Sequence, residues 1–126
     1  AKILLVEDDE INMEIADFML RDNGAEVVKA WDGQAAVERF RESAPHEFDV
    51  ILMDLMMPRM NGLEAARTIR AMKREDAASV PIIAMTANAF LDDRESCMRA
   101  GMNDHVSKPV NTDHLIATIA GYLQKK

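Results

Sequence analysis

The chain has 126 residues, of which 48% are hydrophobic and 29% are charged. These proportions predict one folded domain with a core and exclude a disordered chain. The net charge is −7 and no basic cluster occurs, so we expect no direct binding of nucleic acid. No apolar run is long enough to cross a bilayer, so we expect no membrane insertion. The single Cys97 fits a reducing compartment and predicts a cytoplasmic location.

The first half of the chain alternates between strand-like and helix-like segments. Asp8 or Asp9 suits the N-cap of the first helix, and Gly24 suits its end. The apolar residues of this helix recur at helical spacing: Ile11, Ile15, Phe18 and Met19. The predicted elements of this half are a strand over 3–6, that helix, a more polar strand over 25–30, a helix over 33–40 and a strand over 50–54.

The second half continues the same alternation. Asn61, with Glu64 three residues later, is typical of the start of a helix. Gly101 suits the end of a helix, and Asn111 suits the start of the last one. The last helix has an apolar stripe: Leu115, Ile116, Ile119 and Leu123. The predicted elements here are a helix from 61 to about 73, a strand over 82–86, a helix near 90–99, a strand over 104–107 and the last helix.

The polarity of the strands indicates their order in the sheet. Strands one, three and four are almost wholly apolar, as strands covered on both faces should be. Strands two and five carry charged residues, as edge strands can. This pattern favours a parallel sheet with the order 2-1-3-4-5, which is the flavodoxin-like, doubly wound (βα)5 sandwich of the α/β class. We expect residues 1–126 to form a single domain of this kind.

Polar residues follow four of the five strands and are suited to phosphate chemistry. In an open parallel sheet, ligands bind just beyond the carboxyl ends of the strands. The side chains at these ends should therefore meet in one crevice, although they are far apart in sequence. They are Glu7 and Asp8 after strand one, Asp54 after strand three, Thr86 after strand four and Lys108 after strand five.

Three carboxylates, a hydroxyl and an amine suit a divalent metal beside a phosphoryl group. Magnesium prefers hard oxygen ligands and keeps several waters. Lys108 and Thr86 can both contact phosphoryl oxygens, and phosphoryl transfer depends mainly on positioning and charge neutralisation. An aspartate is also an accepted nucleophile that forms an aspartyl phosphate. Asp54 is the natural candidate because it stands alone at the end of a central strand.

The motifs at the strand ends resemble those of the receiver domain of two-component response regulators. The resemblance covers nearly the whole chain, and it implies a phosphoacceptor domain that switches conformation and partner binding rather than a turnover enzyme. A second likeness, from Ala84 to Ala89 and from Ala100 to Asp104, is to receivers of hybrid sensor kinases. The motifs are Glu7-Asp8, Asp54 with Met57-Pro58 and Asn61-Gly62, Met85-Thr86-Ala87, and Ser107-Lys108-Pro109.

The resemblance implies a role for each site residue. Asp54 would accept the phosphoryl group. Asp8, Asp54 and the backbone carbonyl of Met56 would bind Mg²⁺ directly, with Mn²⁺ as an alternative ion, and Glu7 would act on the metal through water. Thr86 and Lys108 would bind the phosphoryl group. The donor would be a phosphohistidine on a histidine kinase or on a histidine phosphotransfer domain.

The resemblance also implies a switch and two partner surfaces. The family couples the Thr86 position to burial of an aromatic ring, but this chain has His105 at that place. A downstream protein would bind the face formed by the helix near 90–99, the fifth strand and the last helix. Ile11 and Ile15 could serve a helical phosphotransfer partner if they are not buried in the core.

Three other functions compete with this interpretation. An aspartyl-phosphate phosphohydrolase would need a second aspartate two residues after Asp54, where this chain has Met56. A flavodoxin-like redox module would suffer repulsion between the FMN phosphate and the acidic run that begins at Glu7. A degenerate receiver that acts only as a binding module would not need the intact set of acids. The sequence leaves open whether the domain is a free protein or part of a longer chain.

Overall fold

The computed structural model describes residues 2–55, 61–86, 98–107 and 112–124, with the side chains of residues 86, 107 and 124 left aside. Within these described residues, five strands and four helices occur in the predicted order. The strands are β1 (Lys2–Val6), β2 (Glu26–Ala30), β3 (Val50–Asp54), β4 (Ile82–Thr86) and β5 (Asp104–Ser107). The helices are α1 (Glu10–Asp22), α2 (Gly33–Glu42), α3 (Gly62–Arg70) and α4 (Thr112–Gln124), and a short 3₁₀ turn spans Glu75–Ala77.

All five strands run parallel in the order β2-β1-β3-β4-β5, which confirms the predicted sheet. The register aligns Val6 of β1 with Met53 of β3, and Asp54 with Met85 of β4. Because every strand points the same way, all five carboxyl ends lie along one edge of the sheet. The two polar strands, β2 and β5, are the edge strands.

Each face of the sheet packs against its own pair of helices. One buried cluster joins alternate residues of the central strands, such as Leu4, Ile51 and Met53, to helices α2 and α3. The other joins the intervening residues, such as Leu5 and Leu52, to α1 and α4. Side chains of a strand point alternately to opposite faces, so a strand covered on both sides must be apolar throughout. This requirement explains why β1, β3 and β4 read as continuous hydrophobic runs.

Side-chain caps begin three of the helices. The N-caps of α1, α2 and α3 are Asp9, Asp32 and Asn61, each of which accepts a hydrogen bond from a backbone N–H three residues later. Of the two candidates, Asp9 and not Asp8 is therefore the N-cap of α1. The helix α3 ends at Arg70, earlier than the predicted 73, and α2 extends to Glu42 instead of 40. The predicted helix near 90–99 lies outside the described residues except for 98–99, which are helical.

The beginning of α3 packs closely against the end of β3. A Cβ atom on Gly62 would overlap the carbonyl oxygen of Asp54 and would lie 3.0 Å from both Leu55 Cα and Met53 Cγ. The Gly62 N–H also donates to the Leu55 carbonyl at 3.1 Å. Only glycine fits here without displacing one of the two elements. The α3 helix is thus fixed directly against the backbone that carries Asp54.

A buried ion pair joins two loops at the amino end of the sheet. Arg74 donates to both carboxylate oxygens of Asp76, at 2.6 and 2.9 Å, and Asp76 is only 2% exposed. The same guanidinium donates to the carbonyls of Phe40, in the last turn of α2, and of Ser43 and Ala44 just after it. The sequence did not reveal these last contacts, because the three carbonyls lie 30 to 34 residues from Arg74 along the chain.

The pKa of Asp76 follows from the same contacts. Burial of its carboxyl raises the pKa, but hydrogen bonds from Arg74 and from the His46 N–H, with the positive charge of Arg74, outweigh burial and leave the pKa below its usual range.

A second arginine ties α3 to the start of β5. Arg70 donates to the carbonyls of Gly101 and Ala77 and to Oδ1 of Asn103. Asn103 Oδ1 also accepts from the N–H of Ile82, at the start of β4. Because these groups bridge α3, β4 and β5, they hold the edge strand against its neighbour.

No helix among the described residues is long and apolar enough to span a membrane.

Candidate metal and phosphoryl site

Three carboxylates converge at the carboxyl edge of the sheet. Glu7 and Asp8 follow β1 directly, and Asp54 is the last residue of β3. One oxygen from each of these three side chains lies within 4.8 Å of the other two. The convergence that the sequence predicted for the acids is therefore present in the fold.

Backbone contacts and capping set the directions of the first two acids. The Glu7 N–H donates to the carbonyl of Ala30 at 3.1 Å, which continues the β1–β2 pairing by one residue. The side chain of Asp9 turns to the N–H of Asn12 at 2.9 Å and caps α1. Since Asp9 serves the helix, Asp8 is the acid of this run that joins Glu7 at the site.

Asp54 is positioned by the strand beside it and by the helix after it. The Leu55 N–H donates to the Met85 carbonyl at 3.2 Å, which extends the β3–β4 ladder past Asp54. Gly62 packs against the Asp54 carbonyl from the other side. Asp54 is 3% exposed and Glu7 is 2% exposed, whereas Asp8 is open to solvent. Glu7 and Asp54 therefore form the buried floor of the cluster, and Asp8 forms its solvent-accessible rim.

The spacing of the acids suits a hard divalent cation. Mg–O distances are about 2.1 Å, so opposite ligands of an octahedral Mg²⁺ lie about 4.2 Å apart and neighbouring ligands about 3 Å. Three oxygens that all lie within 4.8 Å of one another can share such an ion directly or through water. Without a cation, like charges this close and this buried repel one another, and a bound cation would relieve that repulsion.

The other predicted site residues are described in part. Thr86 ends β4 and is paired in register with Ser107, which ends β5, so these two strand ends lie at the same edge of the sheet as the acids. Lys108 and Met56 themselves lie outside the described residues. His105 is half-buried on β5, where its neighbour Val106 faces the cluster that includes α1 and α4. Because side chains alternate along a strand, His105 belongs to the opposite face.

Two large aromatic side chains, one after β2 and one on α1, are exposed. Trp31 follows Ala30, whose carbonyl is bonded to Glu7, and 46% of its surface is exposed. Phe18, on α1, is 70% exposed. Helical spacing predicted the helix around Phe18 correctly, but the buried side of α1 consists of Met13, Ala16 and Leu20. Sequence periodicity alone could not distinguish the two apolar sides.

Comparison with known proteins identifies the family. The sequence model of the response regulator receiver domain matches residues 3–120. The chain belongs to this family. Receiver domains are signalling domains of two-component systems, and the acid cluster lies at the strand ends where the resemblance placed the site of this receiver.

Relatives of this receiver are hybrid sensor kinases. The chain is 37% identical over 119 residues to the sensor protein GacS of Pseudomonas syringae, covering 94% of this chain and 13% of that protein. It is 38% identical over 124 residues to the hybrid signal transduction histidine kinase L of Dictyostelium discoideum, covering 96% and 7%. The receiver thus spans a small fraction of the length of these relatives.

Solved receiver structures share the fold. The receiver domain of the sensor histidine kinase PA1611 from Pseudomonas aeruginosa is 41% identical, with a TM-score of 0.88 over 98% of this chain and 97% of that one. That structure has a magnesium ion coordinated in its active site cleft. The chemotaxis protein CheY4 of Vibrio cholerae is 28% identical, with a TM-score of 0.89 over 98% of both chains. These neighbours confirm the flavodoxin-like architecture predicted from strand polarity.

Proposed function

We propose that this receiver accepts a phosphoryl group on Asp54 from a phosphohistidine, with Mg²⁺ held by Glu7, Asp8 and Asp54. The observation that carries the proposal is the convergence of these three carboxylates within 4.8 Å at one edge of the sheet. Support comes from the PA1611 receiver, whose active site cleft contains magnesium. Mn²⁺, another hard cation, would suit the same oxygens.

The residues of the chain would act mainly by position and charge. A carboxylate oxygen of Asp54 attacks phosphorus, the new O–P bond forms as the N–P bond to the donor histidine breaks, and the imidazole nitrogen keeps the electron pair and takes a proton. Mg²⁺, if held by Glu7, Asp8 and Asp54, would supply positive charge that offsets the negative charge of the phosphoryl oxygens. Burial of Asp54 on the floor of the cluster limits access of water to the reacting carboxylate.

Lys108 and Thr86 are proposed to bind the phosphoryl oxygens. Support comes from their places in the chain, because Thr86 ends β4 and Lys108 immediately follows Ser107, which pairs with Thr86. Met56 is proposed to add its backbone carbonyl to the metal. The proposed switch couples Thr86 to His105, and the downstream partner would bind the surface of β5, α4 and the helix near 90–99.

The donor is proposed to be a histidine kinase or a histidine phosphotransfer domain. Its histidine must reach Asp54 over the accessible rim, where α1 begins one residue after Asp9. Ile11 and Ile15 on this helix are 69% and 47% exposed, which meets the condition under which they could contact such a partner. The cytoplasmic location predicted from the sequence stays a prediction.

We propose a signalling domain rather than a turnover enzyme. Met56 stands where an aspartyl-phosphate phosphohydrolase would need its second acid, which disfavours that alternative. The close set of acids disfavours a degenerate receiver that only binds partners, because such a module gains nothing from three repelling carboxylates. The proposed function is therefore transfer of a phosphoryl group to Asp54 and its later removal from Asp54, without turnover of another substrate.

The test is covalent labelling by a small donor. The purified protein, incubated with Mg²⁺ and acetyl phosphate, should gain one phosphate by intact mass, and the adduct should be labile in base. Asp54→Asn should abolish the adduct, whereas Asp22→Asn, an exposed acid on α1, should retain it. Labelling of Asp54→Asn to the same extent, or sustained turnover of phosphate esters, would refute the proposal.

A further inference from the structure

The edge of the sheet at β2 is covered by a side chain of α1 rather than by another strand. Within the part of the chain that the structure describes, β2 pairs with β1 on one side and has no strand on the other. A strand at such an edge presents backbone N–H and carbonyl groups that can pair with another chain. What covers these groups therefore decides whether a second polypeptide can add to the sheet.

The backbone groups that face outward from the sheet belong to Val27 and Lys29. Along a strand, successive residues direct their N–H and carbonyl groups to opposite sides. The Ala30 carbonyl points to β1, because it accepts a hydrogen bond from the Glu7 N–H at 3.1 Å. Val28 shares the direction of Ala30, so the backbone groups of Val27 and Lys29 point away from β1.

Arg21, in the last turn of α1, covers the outward carbonyl of Val27. A terminal nitrogen of its guanidinium donates to that carbonyl at 3.1 Å, and its Nε donates to Oδ1 of Asp17 at 2.7 Å. The other oxygen of Asp17 lies 3.7 Å from Nζ of Lys29. Asp17 therefore fixes the guanidinium over the edge and holds the side chain of Lys29 against α1.

The core of the domain does not depend on Arg21. Its side chain is 54% exposed, and the buried side of α1 consists of Met13, Ala16 and Leu20. An exposed ion pair contributes little to the free energy of unfolding. Loss of the Arg21 side chain should therefore leave the fold intact and change mainly the accessibility of the β2 edge.

We infer that Arg21 makes an autoinhibitory contact, which keeps β2 from pairing with β2 of a second copy of this chain. Two β2 strands placed antiparallel about Val28 would pair Val27 of each copy with Lys29 of the other, so their outward N–H and carbonyl groups would bond to one another. The two half-buried Val28 side chains would lie opposite each other as an apolar cross-strand pair. The guanidinium of Arg21 occupies the Val27 carbonyl that this pairing needs. The inference does not depend on the proposed function.

The test is the oligomeric state of Arg21→Ala, measured by sedimentation equilibrium. This variant should dimerise at least about tenfold more tightly than the unaltered protein, because a hydrogen bond from a charged group no longer competes with strand pairing. Arg41→Ala, at an exposed position of α2, makes the same change in net charge, from −7 to −8, and should leave association unchanged. Added like charge opposes association, so weaker repulsion cannot explain a tighter dimer.

Two further measurements locate the interface at β2. Hydrogen exchange of the Val27 and Lys29 amides in Arg21→Ala should slow as the protein concentration is raised, whereas exchange in β5, at the opposite edge, should not change. Lys29→Pro, added to Arg21→Ala, should restore the monomer, because proline removes an outward N–H that the β1–β2 ladder does not use. Melting temperatures check that the variants fold, and the exchange measurement decides the matter if Lys29→Pro does not.

Each of three results would overturn the inference. The first is that Arg21→Ala associates no more tightly than Arg41→Ala at concentrations up to the order of 1 mM. The second is a dimer of Arg21→Ala that does not protect the β2 amides, or that a folded Lys29→Pro variant leaves unchanged. The third is growth into open-ended polymers, because a pairing in which both copies use the same edge closes at a dimer.

Discussion

Gly62→Ala should both destabilise the domain and impair the site. The added Cβ would overlap the Asp54 carbonyl oxygen and press on Leu55 and Met53. Two of these contacts are backbone atoms, which cannot rotate away, so α3 and the end of β3 must separate. Overpacking of this kind costs about 1–3 kcal/mol, and the better helix propensity of alanine offsets at most about 1 kcal/mol. We expect a net loss of about 1–2 kcal/mol in the free energy of unfolding.

Gly121→Ala is the matched control. Gly121 lies in α4, is exposed, and apart from the adjoining part of its own helix has no atom within 4 Å of the position that a Cβ would take. The same substitution there should stabilise the protein by up to about 1 kcal/mol through helix propensity alone. The two variants should therefore change the free energy of unfolding in opposite directions, although the chemical change is identical.

Thermal unfolding and phosphoryl labelling measure the two consequences. For a domain of this size, the loss at Gly62 should lower Tm by about 3–10 °C, whereas Gly121→Ala should raise it slightly. Displacement of Asp54 should slow labelling by acetyl phosphate by at least about tenfold. If Gly62→Ala matches Gly121→Ala in Tm and is labelled at the normal rate, the close packing of α3 against β3 does not constrain the site.

Three further predictions concern the ion pair and the metal site. Arg74→Ala leaves the buried carboxylate of Asp76 without its guanidinium and should lower the free energy of unfolding in urea by about 3 kcal/mol. Arg41→Ala, at an exposed position of α2, should lower it by less than about 0.5 kcal/mol. Equal losses in the two variants would refute the stabilising role of the Arg74–Asp76 pair. Because the Asp76 pKa is lowered in the folded protein, its stabilisation is complete above about pH 5, one unit above the pKa of a free carboxyl, and is lost as pH falls through the folded pKa. The stability difference between the unaltered protein and Asp76→Asn should therefore narrow between pH 5 and pH 3 (about one unit either side of a free carboxyl), and a constant difference would contradict this. Mg²⁺ at about 100 times its Kd should raise the free energy of unfolding by about 2.7 kcal/mol. Asp8→Asn should reduce this gain, whereas Asp22→Asn should not. An unchanged gain in Asp8→Asn would show that Asp8 does not bind the metal.

The sequence predicted most of the architecture because the relevant signals are local. Continuous apolar runs marked β1, β3 and β4 as central strands, and charged residues marked β2 and β5 as edges, which led to the correct sheet order. The cap at Asn61 was also recognised, since a cap needs only its own residue and the next helical turn. Helix ends were less accurate, because tertiary contacts decide where the last turn frays.

The prediction that acids from β1 and β3 meet is confirmed, because parallel strands must present their carboxyl ends at one edge. The capping geometry then decided which acid of the first run takes part, with Asp9 bound to α1 and Asp8 free to join Glu7. The roles of Thr86, Lys108, Met56 and His105 stay predictions.

Amino-acid order alone determined the strands, their ranking from centre to edge, and the set of acids that the fold gathers, because each of these depends on local hydrophobicity and on the direction of the chain. Only the tertiary structure decided which side of α1 is buried, that Gly62 must lack a side chain, and that Arg74 donates to carbonyls at the end of α2. Those features depend on contacts between segments far apart in the chain, where one-dimensional patterns record the residue types but not their neighbours.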